Sequence, residues 1–183
     1  MYKTERLLLK TAKEISIEQL LDYYRDNKNF FKPYEPERDD NFFTFRQQSI
    51  ELANDIFYLE HRSALKLFLC LKENERLIGI LNFSQIILGP FKSCYIGYNL
   101  DEKKNGQGYM TEAIAKGIEI MFNDFDLHRI EGNVMPENKA SIRILEKLGF
   151  EYEGTARKYL KINGRWEDHM HYVLLNEVSD EKV

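Results

Sequence analysis

Lys103 to Ala113 reads KKNGQGYMTEA, and its residue types and spacing are suited to holding an anion. Gly106 and Gly108 stand two apart. Directly after them Met110, Ala113, Ile114, Gly117, Ile118, Met121 and Phe122 repeat at the i, i+3, i+4, i+7 spacing of an amphipathic helix. Ahead of them CYIGYNL, Cys94 to Leu100, is rich in strand formers. A strand, a glycine turn and a helix start can together seat a phosphate. Glycine lets the backbone come close, and the first helical N–H groups have no intrahelical acceptor. An ordinary strand-to-helix connection has the same outline. Two common phosphate loops are excluded. Gln107-Gly108-Tyr109 does not supply the Gly-Lys-Ser/Thr of a nucleotide hydrolase, and Thr111 stands where a dinucleotide fingerprint needs its third glycine. What fits is R/Q-x-x-G-x-G/A, with Lys103 in the first place.

The elements around this turn follow from local patterning. Arg6 to Lys10 suggests a first strand, and Ser16 starts a helix with Gln19 at the capping-box position and Ile17, Leu20, Leu21 and Tyr24 as its apolar face. Asn27 to Asp40, with two prolines, reads as a loop, and a second helix spans roughly Phe45 to Glu60. Leucines at 65, 67, 69 and 71 alternate as in a strand, a charged turn covers Glu73 to Arg76, and Leu77 to Ile87 is a further strand ended by Gly89-Pro90. Arg129 to Met135 puts Ile130, Gly132 and Val134 on one face. Pro136 and Asn138 open a helix with Ser141, Ile144, Leu145 and Leu148 on one stripe and Gly149 as its stop. Asn163-Gly164 between two β-rich runs marks a hairpin. The order β-α-α-β-β-β-α-β-α-β-β is that of an α/β or α+β sheet with helices on its faces.

A chain of 183 residues has room for one domain with a sizeable core, and we read residues 1–183 as a single domain with a frayed tail from about residue 177. Apolar content of 43% and charged content of 31% are those of a soluble globular protein. A net charge of −4 carries no basic field for nucleic acid. Cys70 and Cys94 lie far apart, form no CxxC pair and read as buried free thiols in a reducing compartment. There is no apolar run of 18 residues, and charges at Glu5, Arg6, Lys10, Lys13 and Glu14 break up the start. The expectation is a cytoplasmic protein with no membrane partner.

The glycine loop resembles the pyrophosphate loop of the GNAT acetyltransferases, which bind acetyl-coenzyme A. The second half agrees further: Leu127-His128-Arg129-Ile130 resembles the start of the family's fifth strand, and Asn138-Lys139-Ala140-Ser141 with Leu148-Gly149-Phe150 resembles its N-x-x-S…LGF segment. Glu153-Gly154 and NGRWEDH, Asn163 to His169, are similar to the branch that acetylates the N-terminal amine of ribosomal proteins. DYYRDNKNFFKPYEPERDD, Asp22 to Asp40, resembles the N-x-x-F-L-x-P-W-E-P-x-R core of its alanine-directed RimJ type. The resemblance covers nearly the whole chain. It implies a GNAT-like α/β (α+β) fold with a central, mixed, mostly antiparallel twisted sheet, helices on both faces and splayed fourth and fifth strands. It further implies acetyl-CoA as co-substrate, no metal, and transfer of acetyl to a protein N-terminus such as that of a ribosomal protein, on or off the ribosome. Monomer and homodimer both fit.

The resemblance also implies roles for particular residues. The coenzyme seat would be the backbone at Lys103, Asn105, Gly106, Gln107 and Gly108 with the helix start at Tyr109, Met110 and Thr111. Amides of Tyr98, Asn99 and Leu100 would donate to the oxyanion. Asn138 would bond the pantetheine arm, or serve as a plain N-cap. Ser141 would donate to the departing thiolate, or bond back to the i−4 carbonyl. Many GNAT members carry a tyrosine acid where this chain has Leu145, so Ser141 is the better acid. The related RimL type has a glutamate proposed as base where this chain has Leu160. Asp168 is the carboxylate left: strand alternation sets it beside Trp166, Met170, Tyr172 and Leu174, where it binds the incoming ammonium or anchors backbone N–H groups. Tyr34 and Glu35 would bind the acceptor, unless they belong to a Pro-braced surface loop. His128 and His169 read as structural, with no metal-ligand spacing between them. Arg157, Lys158, Lys161 and Arg165 make a basic hairpin, a solvated face or a ribosome contact. Two competing readings remain: an acetyltransferase for a small amine such as a polyamine or antibiotic, and a non-catalytic coenzyme A-binding module.

Overall fold

The computed structural model describes residues 1–177. Among them the order is β1 (Tyr2–Lys3), β2 (Leu7–Lys10), α1 (Ile17–Phe31), α2 (Phe45–Glu60), β3 (Leu65–Leu71), β4 (Leu77–Ile87), β5 (Ser93–Leu100), α3 (Tyr109–Asn123), β6 (Arg129–Val134), α4 (Lys139–Lys147), β7 (Glu151–Ile162) and β8 (Arg165–Leu175). Two 3-10 turns, Asp40–Phe43 and Glu102–Lys104, complete the set. The strands form one sheet in the order β1-β2-β3-β4-β5-β6-β8-β7. The β5–β6 pair is parallel and the other pairings are antiparallel. This is the expected mixed α/β sheet. The two-residue β1 was not anticipated, so the fourth and fifth expected strands are β5 and β6. The expected tail falls almost wholly outside the described residues.

The sheet has helices on both faces. On β3 the leucines at 65, 67, 69 and 71 join the larger core under α3 and α4, while Phe68 and Cys70 join the smaller core under α1 and α2. A strand buried on both sides reads as a near-continuous apolar run, and LKLFLCL does. Gly117 lets α3 press against β4: a Cβ there would lie 2.7 Å from the Phe83 ring and 2.9 Å from Leu81.

Local signals held where side chains could act alone. Ser16 Oγ caps α1 by accepting from Gln19 N at 3.2 Å, but the Gln19 amide reaches Glu75 O instead of closing a capping box. The expected loop from Asn27 begins later, because α1 runs on to Phe31. Asn27 is buried there, its Nδ2 donating to Tyr23 O at 2.9 Å and its Oδ1 accepting from Glu102 N at 3.1 Å, so it is a bracket and not a breaker. Asn163 and Gly164 both have positive φ (45° and 78°) between paired Ile162 and Arg165, as a two-residue hairpin turn requires.

One strand pair of the sheet stops short. β5 and β6 pair from Ser93–Arg129 to Ile96–Gly132 and then part, although β5 continues to Leu100 and β6 to Val134. That is the expected splay, and it opens a gap through the sheet.

Candidate active site

A cleft of about 1210 Å³ runs through this gap. On one face it meets α3, α4 and the glycine loop; on the other it meets α1, α2 and the early loop. β5 serves both sides because its side chains alternate. Tyr98 points toward α4, with its hydroxyl 2.6 Å from Ser141 Oγ. Asn99 points the other way, accepting from Tyr23 OH at 2.7 Å and donating to Glu35 Oε1 at 2.7 Å.

The α3 face leaves backbone donors that an anion could accept from. Gly106 and Gly108 take φ of 73° and 81°, open to glycine without strain, and α3 starts with no side-chain cap. The first turn bond runs from Glu112 N to Gly108 O, so the amides of Tyr109, Met110 and Thr111 have no intrahelical acceptor. Arg6 braces the turn: its guanidinium donates to Gln107 O at 2.8 Å and to Glu112 at 2.7 Å, and lies 4.3 Å over the Tyr109 ring. Sequence reading passed over Arg6, which lies far from the loop along the chain and close to it only in the fold.

Backbone direction decides which amides face the gap. Asp101 N donates to Ile78 O at 2.8 Å, toward β4. Successive strand N–H groups alternate, so Asn99 also points to β4, while Tyr98 and Leu100 present their amides to the gap. The expected oxyanion set thus reduces to Tyr98 and Leu100, and Asn99 acts through its side chain on the other face.

Tyr98, Asn99, Leu100, Asn105, Gly106, Gly108, Met110, Thr111, Asn138, Ser141, Tyr34 and Glu35 all line the cleft; Lys103, Gln107, Tyr109 and Asp168 do not. The Lys103 amide is taken by Asp101 Oδ1 at 3.0 Å, and the Gln107 side chain folds back on Lys103 O at 3.0 Å. Asn138 is the cap of α4, its Oδ1 accepting from Ser141 N at 3.1 Å, which leaves its NH2 group free of that role. Ser141 bonds Tyr98 through its hydroxyl. Burial pushes the Tyr98 phenol up to about 12, with the Ser141 bond pulling the other way, so it stays protonated.

Asp168 takes the anchoring alternative. Its Oδ1 accepts from Lys158 N at 2.7 Å, where β7 bulges between Ala156 and Leu160 and Lys158 has a φ of 50°. It is not among the residues that line the cleft, so its place argues against an acceptor-binding role. Glu35 lines the cleft with both oxygens engaged, Oε1 by Asn99 and Oε2 by Arg38 at 2.7 Å, and Arg38 stacks 3.8 Å over the Phe42 ring. The early loop is therefore wired to β5 and is not a free surface turn. His169, read as structural, is 4% exposed and lines the cleft.

A family model, the acetyltransferase (GNAT) domain, matches residues 6–151. The chain is 37% identical over 169 residues to the [Ribosomal protein uS5]-alanine N-acetyltransferase of Escherichia coli (strain K12), covering 91% of this chain and 86% of that protein. The structure of a ribosomal-protein-S5-alanine acetyltransferase from Vibrio fischeri superposes with a TM-score of 0.88 at 32% identity, covering 97% of this chain and 96% of that one. Mycobacterium smegmatis RimJ in complex with CoA-disulfide superposes with a TM-score of 0.84 at 25% identity, covering 96% and 88%. A glycine loop at a helix start, a parted strand pair and a match over most of the chain carry one conclusion: the chain belongs to the GNAT acetyltransferases.

Proposed function

We propose that the chain transfers the acetyl group of acetyl-CoA to the N-terminal α-amine of a protein, with an N-terminal alanine of a ribosomal protein as the leading acceptor. The two-sided cleft carries this reading. Its α3 face offers unpartnered helix amides and glycine backbone to a pyrophosphate, and the similar RimJ structure is a complex with CoA-disulfide. Its α1 face lines the acceptor side with Tyr34 and with Glu35, whose oxygens already accept from Asn99 and Arg38. The ribosomal acceptor rests on the S5-directed relatives.

These residues divide the work of direct attack of an amine on a thioester. Gly106, Gly108 and the start of α3 seat the phosphates. Asn138 Nδ2 and the open edge of β5 hold the arm. The amides of Tyr98 and Leu100 stabilise the oxyanion, and Ser141 Oγ donates to the leaving thiolate. An α-amine needs little help to lose its proton: at pH 7 roughly 10–15% is neutral, against well under about 0.1% of a lysine amine.

The test is mass spectrometry of peptides incubated with acetyl-CoA, alongside thiol release with and without acceptor. Peptides starting with free alanine gain acetyl at the terminus, with serine second, and terminally blocked peptides with an internal lysine stay poor acceptors. Predominant modification of lysines or polyamines would overturn the substrate, and no acceptor-dependent thiol release would overturn the enzyme.

A further inference from the structure

We propose that His169 is the general base of this reaction, taking the proton from the attacking amine on the acceptor side of the sheet. This rests on the N-acetyltransferase reading above and supplies the group that Leu160 and Asp168 do not.

The tautomer follows from chemistry. His169 Nδ1 lies 3.1 Å from Glu167 O. A carbonyl oxygen only accepts, so Nδ1 carries the hydrogen and Nε2 of the neutral ring holds a lone pair. No described residue bonds that Nε2. It also differs from His171 Nε2, which is buried without a partner: the His169 Nε2 is not among the sealed atoms, and its residue lines the cleft.

Its face follows from register. A Cβ on Gly132 would lie 3.1 Å from Leu145, so Gly132 faces α4 and Asn133 faces away. Asn133 pairs with His171 across β6 and β8, and paired residues share a face. His169, two residues from His171, is therefore on the face of Asn99 and Glu35, opposite Tyr98 and Ser141. It stands one step beyond the Val134–Met170 pair, about one strand spacing of 4.8 Å from the end of β6 that borders the gap.

The sheet thus separates base from acid. The amine nitrogen bonds to the acetyl carbon as its proton passes to His169 Nε2. The carbon–sulfur bond breaks into the α4 side, where the sulfur takes the Ser141 hydroxyl hydrogen. His169 then releases its proton to water, and Ser141 regains one from water.

The experiment compares His169→Asn, which keeps a donor for Glu167 O while removing the base, with His169→Gly. Both are checked by coenzyme titration and thermal melting. Expected is a fall in kcat on the order of 100-fold, the low end for a general base, with acetyl-CoA affinity within about twofold. Added imidazoles restore His169→Gly turnover in the order of their basicity. Wild-type kcat in a folded His169→Asn overturns the assignment. So does a His169→Gly enzyme that binds coenzyme and is not rescued. Failure of the peptide assay in wild type would instead sink the acceptor reading, which separates the two. If His169→Gly does not fold, His169→Asn decides alone.

Discussion

At the residue scale, Tyr98 and Ser141 meet hydroxyl to hydroxyl. The Tyr98 hydroxyl lies 2.6 Å from Ser141 Oγ, where either group can donate, and 3.3 Å from Ser141 O, which only accepts. When Tyr98 donates to Oγ, the serine hydrogen is turned outward to the sulfur, and the donated bond makes it a better donor. Ser141→Ala should lower kcat on the order of 10- to 1,000-fold with little change in acetyl-CoA affinity, because the bond matters as charge develops. Tyr98→Phe should lower kcat about 10-fold in the wild type and less than about twofold in a Ser141→Ala background. Steady-state kinetics on the four-member cycle read both. Additive losses would mean that Tyr98 acts independently of Ser141. Ser141 came from the N-x-x-S resemblance, and it lines the cleft. Its contact with Tyr98 did not, since the two lie on different elements and meet only when α4 packs beside β5.

At the element scale, the start of α3 poses an electrostatic problem. Glu112, in the first turn, sets a negative charge beside a seat for anions. Thr4 Oγ1, Arg6 N and Arg6 Nε bond it at 2.5, 2.8 and 2.7 Å, so the N-terminal strand pair neutralises it and pins the loop. Burial acts to raise the Glu112 carboxyl, but these bonds outweigh it and hold it below the usual glutamate value. A depressed folded pKa contributes stability that is present above the unfolded value of about 4.3 and is lost as pH falls through the folded one. Glu112→Gln should therefore melt lower at neutral pH, by about 1–2 kcal/mol given that Arg6 is partly exposed, with the gap closing below about pH 4. Thermal melts across pH measure this. A gap independent of pH would assign the loss to packing.

At the scale of the whole molecule, one ligand would touch both halves of the cleft: α3 and β5 from one segment of chain, α4 from another. Such a ligand binds the folded state alone and raises its stability by mass action. Acetyl-CoA at about 100 times its Kd should add roughly 2.7 kcal/mol, or roughly 5–10 °C in Tm for a chain of this size. Gly108→Val should lose most of that shift while melting near the wild type without ligand. Its φ of 81° is strained for valine, and a Cβ there meets Arg6 Nη2 at 3.4 Å, yet the site is a surface turn. A full shift in the variant would show that the phosphates lie elsewhere.

Local chemistry by itself determined much of this protein. The 3.6-residue period of α3, the alternation of β3 and β6, the Ser16 cap and the Asn163-Gly164 turn act within a few residues, and each is where the chain's own pattern puts it. The glycine loop was legible for the same reason, since its geometry needs only glycine and a following helix. Tertiary structure alone decided the rest, because the rest depends on which distant groups meet. Sheet pairing ends at Ile96–Gly132 and so opens the gap. Backbone direction selects Tyr98 and Leu100 over Asn99. A bulge in β7 needs an acceptor for the Lys158 amide, and that need takes Asp168 away from the cleft. The register of β8 on β6 sends His169 to the face of Asn99 and Glu35. Periodicity says which side of its own strand a residue takes, but only the assembled sheet says what lies on that side.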